Sequence, residues 1–158
     1  MKITTIVVGR AGAPLKDAIL EYETRVGRYW KFNVIEVTSE ARLLARLPER
    51  AQIVALTRTG QGMSSTDLAA YLQDHALHST PEVCFLIGGA FGLGPDILER
   101  AQKRWSLSDA TLPHEMARLV LAEQLYRAGT IVRNEPYHKG PTSSGRKNSP
   151  SSSKSKRV

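Results

Sequence analysis

Only one cysteine, Cys84, occurs in the 158 residues, so no internal disulfide can form and a disulfide-stapled secreted scaffold is excluded. Cys84 lies in the apolar run Val83-Cys84-Phe85-Leu86-Ile87, where a thiol acts as a small buried hydrophobe of low reactivity. A reducing cytoplasm fits. No apolar stretch approaches the roughly 20 residues of a membrane span. The opening MKITTIVVGRAGAP carries too short an apolar run for a signal sequence and reads as a first strand. Three catalytic fingerprints are also missing: G-x-G-x-x-G after the first strand, the phosphate loop G-x-x-x-x-G-K-[ST], and the G-x-S-x-G nucleophile elbow. Their absence argues against dinucleotide oxidoreductases, phosphate-loop enzymes and serine hydrolases of the elbow type. His75 and His78 stand three apart with no carboxylate or thiol at metal spacing beside them, so no metal site is expected.

Acidic residues are absent from 140–158, and that absence changes the meaning of the net charge. The whole chain carries +7, but five of its 22 basic residues fall in this stretch, leaving 17 basic against 15 acidic side chains upstream, a net of +2. The segment GPTSSGRKNSPSSSKSKRV is rich in Ser, Gly and Pro and has one aliphatic residue, Val158. It cannot bury enough apolar surface to offset its ordering entropy, so a disordered basic tail is expected, either a solvated extension or an arm that touches RNA. Residues 1–139 have ordinary globular composition and length for a single domain.

What is present upstream alternates regularly. β-branched or apolar runs at 2–8, 32–37, 52–56, 82–87 and 105–108 predict five strands. Between and after them, helical spacing predicts helices opened by Pro14 and running to Val26, over 40–47 up to the stop at Pro48, from the cap Ser64-Ser65-Thr66 through Leu72, over 95–103, and over 113–133. The stretch 58–62, with two glycines, reads as a turn. The third and fourth strands are apolar on both faces, which predicts an α/β fold with a mostly parallel sheet and helices on both sides. Binding crevices in such sheets lie beyond the carboxyl ends of the strands.

The residues at those ends carry the candidate chemistry. Gly88-Gly89-Ala90-Phe91-Gly92-Leu93-Gly94 is either a tight βα turn or a loop that lets a ligand approach the backbone. Leu107-Ser108-Asp109-Ala110-Thr111-Leu112 offers amides, hydroxyls and leucines suited to an uncharged ring such as adenine, or simply caps the next helix. His114 and Arg118 share one helix face, beside Glu115, as a solvated pair or as part of a site. Tyr137-His138-Lys139 could stack on a base and meet phosphate, or be a frayed end.

In order along 1–139, MKITTIVVGR, IVAL, FLIGG, GLGPDIL, SLSDATLPHEMARLVLAEQLYRA and PYHK resemble the RlmH family, SPOUT-class methyltransferases of 23S ribosomal RNA pseudouridine. The resemblance implies a SPOUT fold with a C-terminal trefoil knot, a homodimer, S-adenosylmethionine as cofactor, and methylation of the N3 nitrogen of a pseudouridine in 23S rRNA within the ribosome. It places the cofactor against Leu56, Gly88, Leu107, Ser108, Asp109, Ala110, Thr111 and Leu112. His114 or His138 would assist removal of the N3 proton. Arg118 would orient an RNA phosphate or a developing negative oxygen, and Tyr137 with Lys139 would position the nucleotide, across the dimer interface. The chain departs from the family at Thr57, where an acidic residue is common, and at Ala90 and Phe91, which replace the usual proline and acid. It also has a shorter connection over 38–50 and continues for 19 residues beyond PYHK. A non-catalytic ribosome-binding module on the same scaffold, or a SPOUT methyltransferase for another RNA, are the competing readings.

Overall fold

The computed structural model describes residues 1–138; the expectations for Lys139 and for the tail 140–158 lie outside the described residues. Strands and helices follow one another as β1 (Lys2–Val8), α1 (Lys16–Val26), β2 (Lys31–Val37), α2 (Glu40–Ala45), β3 (Ala51–Gly62), α3 (Ser65–Leu77), β4 (Glu82–Ile87), α4 (Pro95–Arg100), β5 (Lys103–Ser106) and α5 (His114–Val132), with a closing 3-10 turn, Pro136–His138. The five strands form one parallel sheet in the order β2-β1-β4-β3-β5.

The two-residue period of the strands sorts their side chains into two cores. Ile3 and Val7 of β1, Val54 of β3, Val83, Phe85 and Ile87 of β4 and Trp105 of β5 point to the face covered by α1, α3 and α5. Ile6, Ile53, Cys84 and Leu86 point to the other face, covered by the short helices α2 and α4 through Leu43 and Ile97. Full burial of each Leu, Ile or Phe side chain contributes roughly 1.5–3 kcal/mol. Phe85 and Trp105 pack edge to face with ring centres 6.1 Å apart, under α3 and α5.

Local signals set the helix ends. Ser64 accepts from the Asp67 amide at 3.0 Å while the Asp67 carboxylate accepts from the Ser64 amide, a reciprocal cap for α3. Ser39 caps α2 by accepting from the Arg42 amide. The helix expected over 40–47 stops at Ala45 because Pro48 disfavours helical angles in the residue before it. The helix expected over 95–103 stops at Arg100. There Gln102 is drawn into the sheet: its amide donates to the Ile53 carbonyl at 3.0 Å and its side-chain oxygen accepts from the Ile53 amide at 2.6 Å. β5 accordingly begins two residues early.

The largest departure concerns 58–62, read from its glycines as a turn. Leu56 and Gln61 both pair with Trp105, and Gly62 pairs with Ser106. The strand therefore leaves the sheet after Leu56, makes an excursion over 57–60 and returns to the same neighbour. Gly60 permits this: a Cβ there would lie 2.6 Å from the backbone of Arg104. The glycine marks a close backbone approach, not a strand end.

Candidate functional site

All strands run parallel, so the loops at their carboxyl ends share one rim. Three of them enclose a cleft of about 370 Å³, within the range of small-molecule sites. Its walls are the β3 excursion at 56–59, the glycine loop at 87–93, and the segment after β5, with His114 and Ala117 of α5 closing one side. Leu56, Gly88, Leu107, Ser108, Ala110, Thr111 and Leu112 are thus brought together. Asp109 is exposed and does not line the cleft.

Each wall has a local cause. In the glycine loop Gly92 adopts φ +75° and its amide donates to the Gly89 carbonyl at 3.0 Å, folding the loop on itself. A Cβ on Gly88 would stand 2.6 Å from the Gly92 carbonyl carbon, so the backbone itself fills that space. The loop's far end is tied to α2, where Glu40 accepts from the Gly94 amide at 3.0 Å. After β5 the hydroxyl of Ser106 donates to the Ser108 carbonyl, and the Ser108 hydroxyl accepts from the Ala110 amide, both at 2.9 Å. Ser108 therefore shapes its own turn.

His114 is positioned by residues that the sequence reading passed over. Its Nε2 lies 3.3 Å from the Arg10 carbonyl oxygen. A carbonyl only accepts, so Nε2 carries the hydrogen and Nδ1 is left as the acceptor in the neutral ring. Gly9, with φ +114°, makes room for the imidazole, since a Cβ there would come within 2.7 Å of Nε2. Glu115 holds the same loop by accepting from the Gly12 amide at 2.5 Å. The signal for these residues was available: Gly9 and Arg10 follow the carboxyl end of β1, on the same rim.

Arg118, one turn further along α5, is buried with 4% of its side chain exposed. Its guanidinium donates through Nε and Nη2 to both oxygens of Glu23, at 2.7 and 3.0 Å, and through Nη1 to Glu36 at 2.6 Å. Burial works against the charge, but the two carboxylates more than offset it and raise the guanidinium pKa further. Glu36 is held below its ordinary range, first by the hydrogen bond from Arg118. The pair of His114 and Arg118 is thus no solvated face; Arg118 joins α5 to α1 and β2 under the cleft.

A family model described as "Predicted SPOUT methyltransferase" matches residues 1–138. The protein named "Ribosomal RNA large subunit methyltransferase H" in Gemmatimonas aurantiaca is 48% identical over 155 residues, covering 88% of this chain and 100% of the relative. Its namesake in Syntrophotalea carbinolica is 42% identical over 154 residues, covering 87% and 99%. The chain belongs to the SPOUT methyltransferases, in the large-subunit methyltransferase H family. A solved structure titled "Crystal structure of an hypothetical protein", 16% identical, superposes with a TM-score of 0.50 over 84% of this chain and 89% of the other, and shares the fold.

In this SPOUT chain the cleft suits S-adenosylmethionine by its donor set. Leu56, Ile87, Leu107, Leu112 and Ala117 provide apolar walls, glycine backbone and small hydroxyls provide neutral polar atoms, and Arg58 is the one cationic side chain of the three loops. That composition fits an adenine and a sulfonium better than a polyphosphate. Tyr137 is elsewhere. Its hydroxyl donates to Glu123 at 2.9 Å, its ring packs edge-on against Tyr126 with centres 4.7 Å apart, and the Arg127 guanidinium lies 4.9 Å from its centre. Glu123 is nine residues beyond His114, roughly 13 Å along the helix axis. Burial, then Glu123 and Tyr22, push the Tyr137 phenol well above its usual range, so it donates hydrogen bonds and does not serve as a base. His138 ends the same 3-10 turn. Among the described residues no group of three or more His, Cys, Asp or Glu is placed to hold a metal ion, and no helix is long and apolar enough to cross a membrane.

Proposed function

We propose that this protein transfers a methyl group from S-adenosylmethionine to the N3 nitrogen of a pseudouridine in 23S ribosomal RNA, acting in the cytoplasm as a homodimer on the ribosome. The observation that carries the reading is the convergence of three strand-end loops and His114 on one cleft. The curated relatives, matched over nearly their whole length, carry names for methylation of large-subunit ribosomal RNA. The domain is read as 1–139, with its C-terminal part tied into a trefoil knot. The tight backbone passage at Gly60, against Arg104 of another strand, supports that threading.

When bound, the cofactor supplies an already activated methyl group, so the protein must chiefly hold the nucleophile in line. Leu56, Gly88 and the loop over 107–112 hold the donor. His114, its Nε2 engaged by Arg10, accepts the N3 proton at Nδ1 so that the ring nitrogen can present its lone pair. Arg118 keeps the helix carrying His114 in place through Glu23 and Glu36; the role in RNA contact that the resemblance gave it is replaced by positioning, since it is buried and Nε, Nη1 and Nη2 each donate to one of those carboxylates. Tyr137 and His138 follow α5 away from their own cleft, which supports the reading that this terminal motif serves the partner's cleft in the dimer.

Mass mapping of 23S rRNA from cells with and without the gene tests the function directly. A pseudouridine that loses one methyl mass only in its absence is the expected result; unchanged rRNA would overturn it. Calorimetry separates the non-catalytic reading, which predicts no binding of S-adenosylmethionine.

A further inference from the structure

Two exposed side chains, Phe91 and Arg58, stand at the rim of the cleft. Phe91 stands at the tip of the glycine loop and is fully exposed, at 102%. Arg58 stands on the β3 excursion, exposed, with no hydrogen bond or ion pair among the described residues. Both line the cleft. An exposed phenylalanine contributes nothing to the stability of the free chain, and the hinge beneath it is built tightly: Gly92 at φ +75°, the bridge between Gly89 and Gly92, and the anchor from Gly94 to Glu40. The ring is therefore presented outward on a shaped loop, at low ordering cost when something meets it.

We infer that Phe91 and Arg58 form a nucleotide clamp at the cleft mouth, Phe91 stacking on a base of the RNA substrate and Arg58 meeting a phosphate beside it. This rests on the reading of the cleft as a methyl-transfer site, because the acceptor ring must enter where these side chains stand. The partner is RNA and not a charged small molecule. An aromatic face beside a guanidinium matches an unstacked base with its phosphate, whereas the three loops carry one cation against one carboxylate, Asp109, too little for attraction by charge alone. Stacking is thus the larger contribution and the phosphate contact the smaller.

The test uses the full-length protein with purified ribosomes and radiolabelled S-adenosylmethionine. Stacking of one base is worth about 1–3 kcal/mol, so Phe91→Ala should raise KM for ribosomes roughly 5- to 150-fold. Cofactor affinity by calorimetry should stay within about twofold of the parent. Phe91→Trp should restore KM to within a few-fold, while Phe91→Leu, apolar without a π face, should resemble Phe91→Ala. Arg58→Gln should raise KM less and flatten its salt dependence by about one phosphate contact. Three outcomes overturn the clamp: a cofactor affinity that falls in Phe91→Ala, which makes the ring a lid on the donor; Phe91→Leu equal to the parent; or dissociation of the dimer in sedimentation, which makes a second copy the partner. Direct ribosome-binding measurements keep the two readings separable. Binding that depends on Phe91 without any methyl transfer by the parent would refute the enzymatic function and support the clamp.

Discussion

Replacing Arg118 by methionine keeps most of the volume and removes the charge, leaving the Glu23 and Glu36 carboxylates facing an apolar group. Breaking a buried ion pair by deleting one partner costs about 3–5 kcal/mol, because an uncompensated charge stays behind. Glu23 is 10% exposed and Glu36 36%, so water relieves part of the penalty at Glu36 and the lower end applies, about 3 kcal/mol. For a chain of this size that corresponds to a fall in Tm of roughly 6–12 °C. Urea unfolding followed by circular dichroism measures it. Adding Glu23→Gln to Arg118→Met should recover part of the loss, because the stranded charge is then removed as well. The pH dependence has a definite sign. Glu36 ordinarily titrates near 4.5 and is held lower here by Arg118, so its contribution is present above that value and is lost as the pH falls through the depressed one. The gap between parent and variant should therefore narrow in acid. A loss below about 1 kcal/mol, or a gap constant from neutral pH to about pH 3, would refute this account.

Other outcomes follow from single contacts. Gly88→Ala forces a Cβ to 2.6 Å from the Gly92 carbonyl carbon, so the loop must open; cofactor affinity should fall more than about tenfold by calorimetry while the circular dichroism spectrum is retained. Cys84 is fully buried and its thiol is pushed up to about 12 by burial, then by Glu82, so a thiol reagent should modify it only as urea unfolds the chain; rapid modification of the native protein would contradict the core placement. Tyr29 donates to Glu135, and burial first and Glu135 second push its phenol from 10.0 up to about 12. Its contribution is complete below pH 10 and is lost towards 12, so Tyr29→Phe should weaken the protein at neutral pH and reduce the alkaline slope of Tm; Tyr71 and Tyr137, also raised, keep that slope from vanishing.

The succession of strands and helices along the chain was readable because apolar runs and helical spacing are local properties, and the rim position of Leu56, Gly88 and 107–112 followed from parallel strands; the order β2-β1-β4-β3-β5 within the sheet was not readable. What escaped was long-range. Arg118 read as a solvated face or an RNA contact, and not as a buried tie, because Glu23 and Glu36 lie 95 and 82 residues away along the chain, and nothing near Arg118 announces them. Gly60 read as a turn because the backbone it must clear, at Arg104, arrives from another strand. The contacts of Tyr137 with Tyr126 and Glu123 were not foreseen either, because the 3-10 turn that folds it back onto α5 has no local signal in the sequence.

The two faces of the sheet differ in thickness. Three helices of 11 to 19 residues cover one, and two helices of six residues cover the other. Amide exchange should accordingly be slowest under α5 and fastest along the thin cover, which opens by small local fluctuations. The glycine loop is moored to that thin side through Glu40. Any loosening of that thin cover would therefore reach the glycine wall of the cleft through one hydrogen bond, whereas His114 is carried by the longest helix of the thick layer.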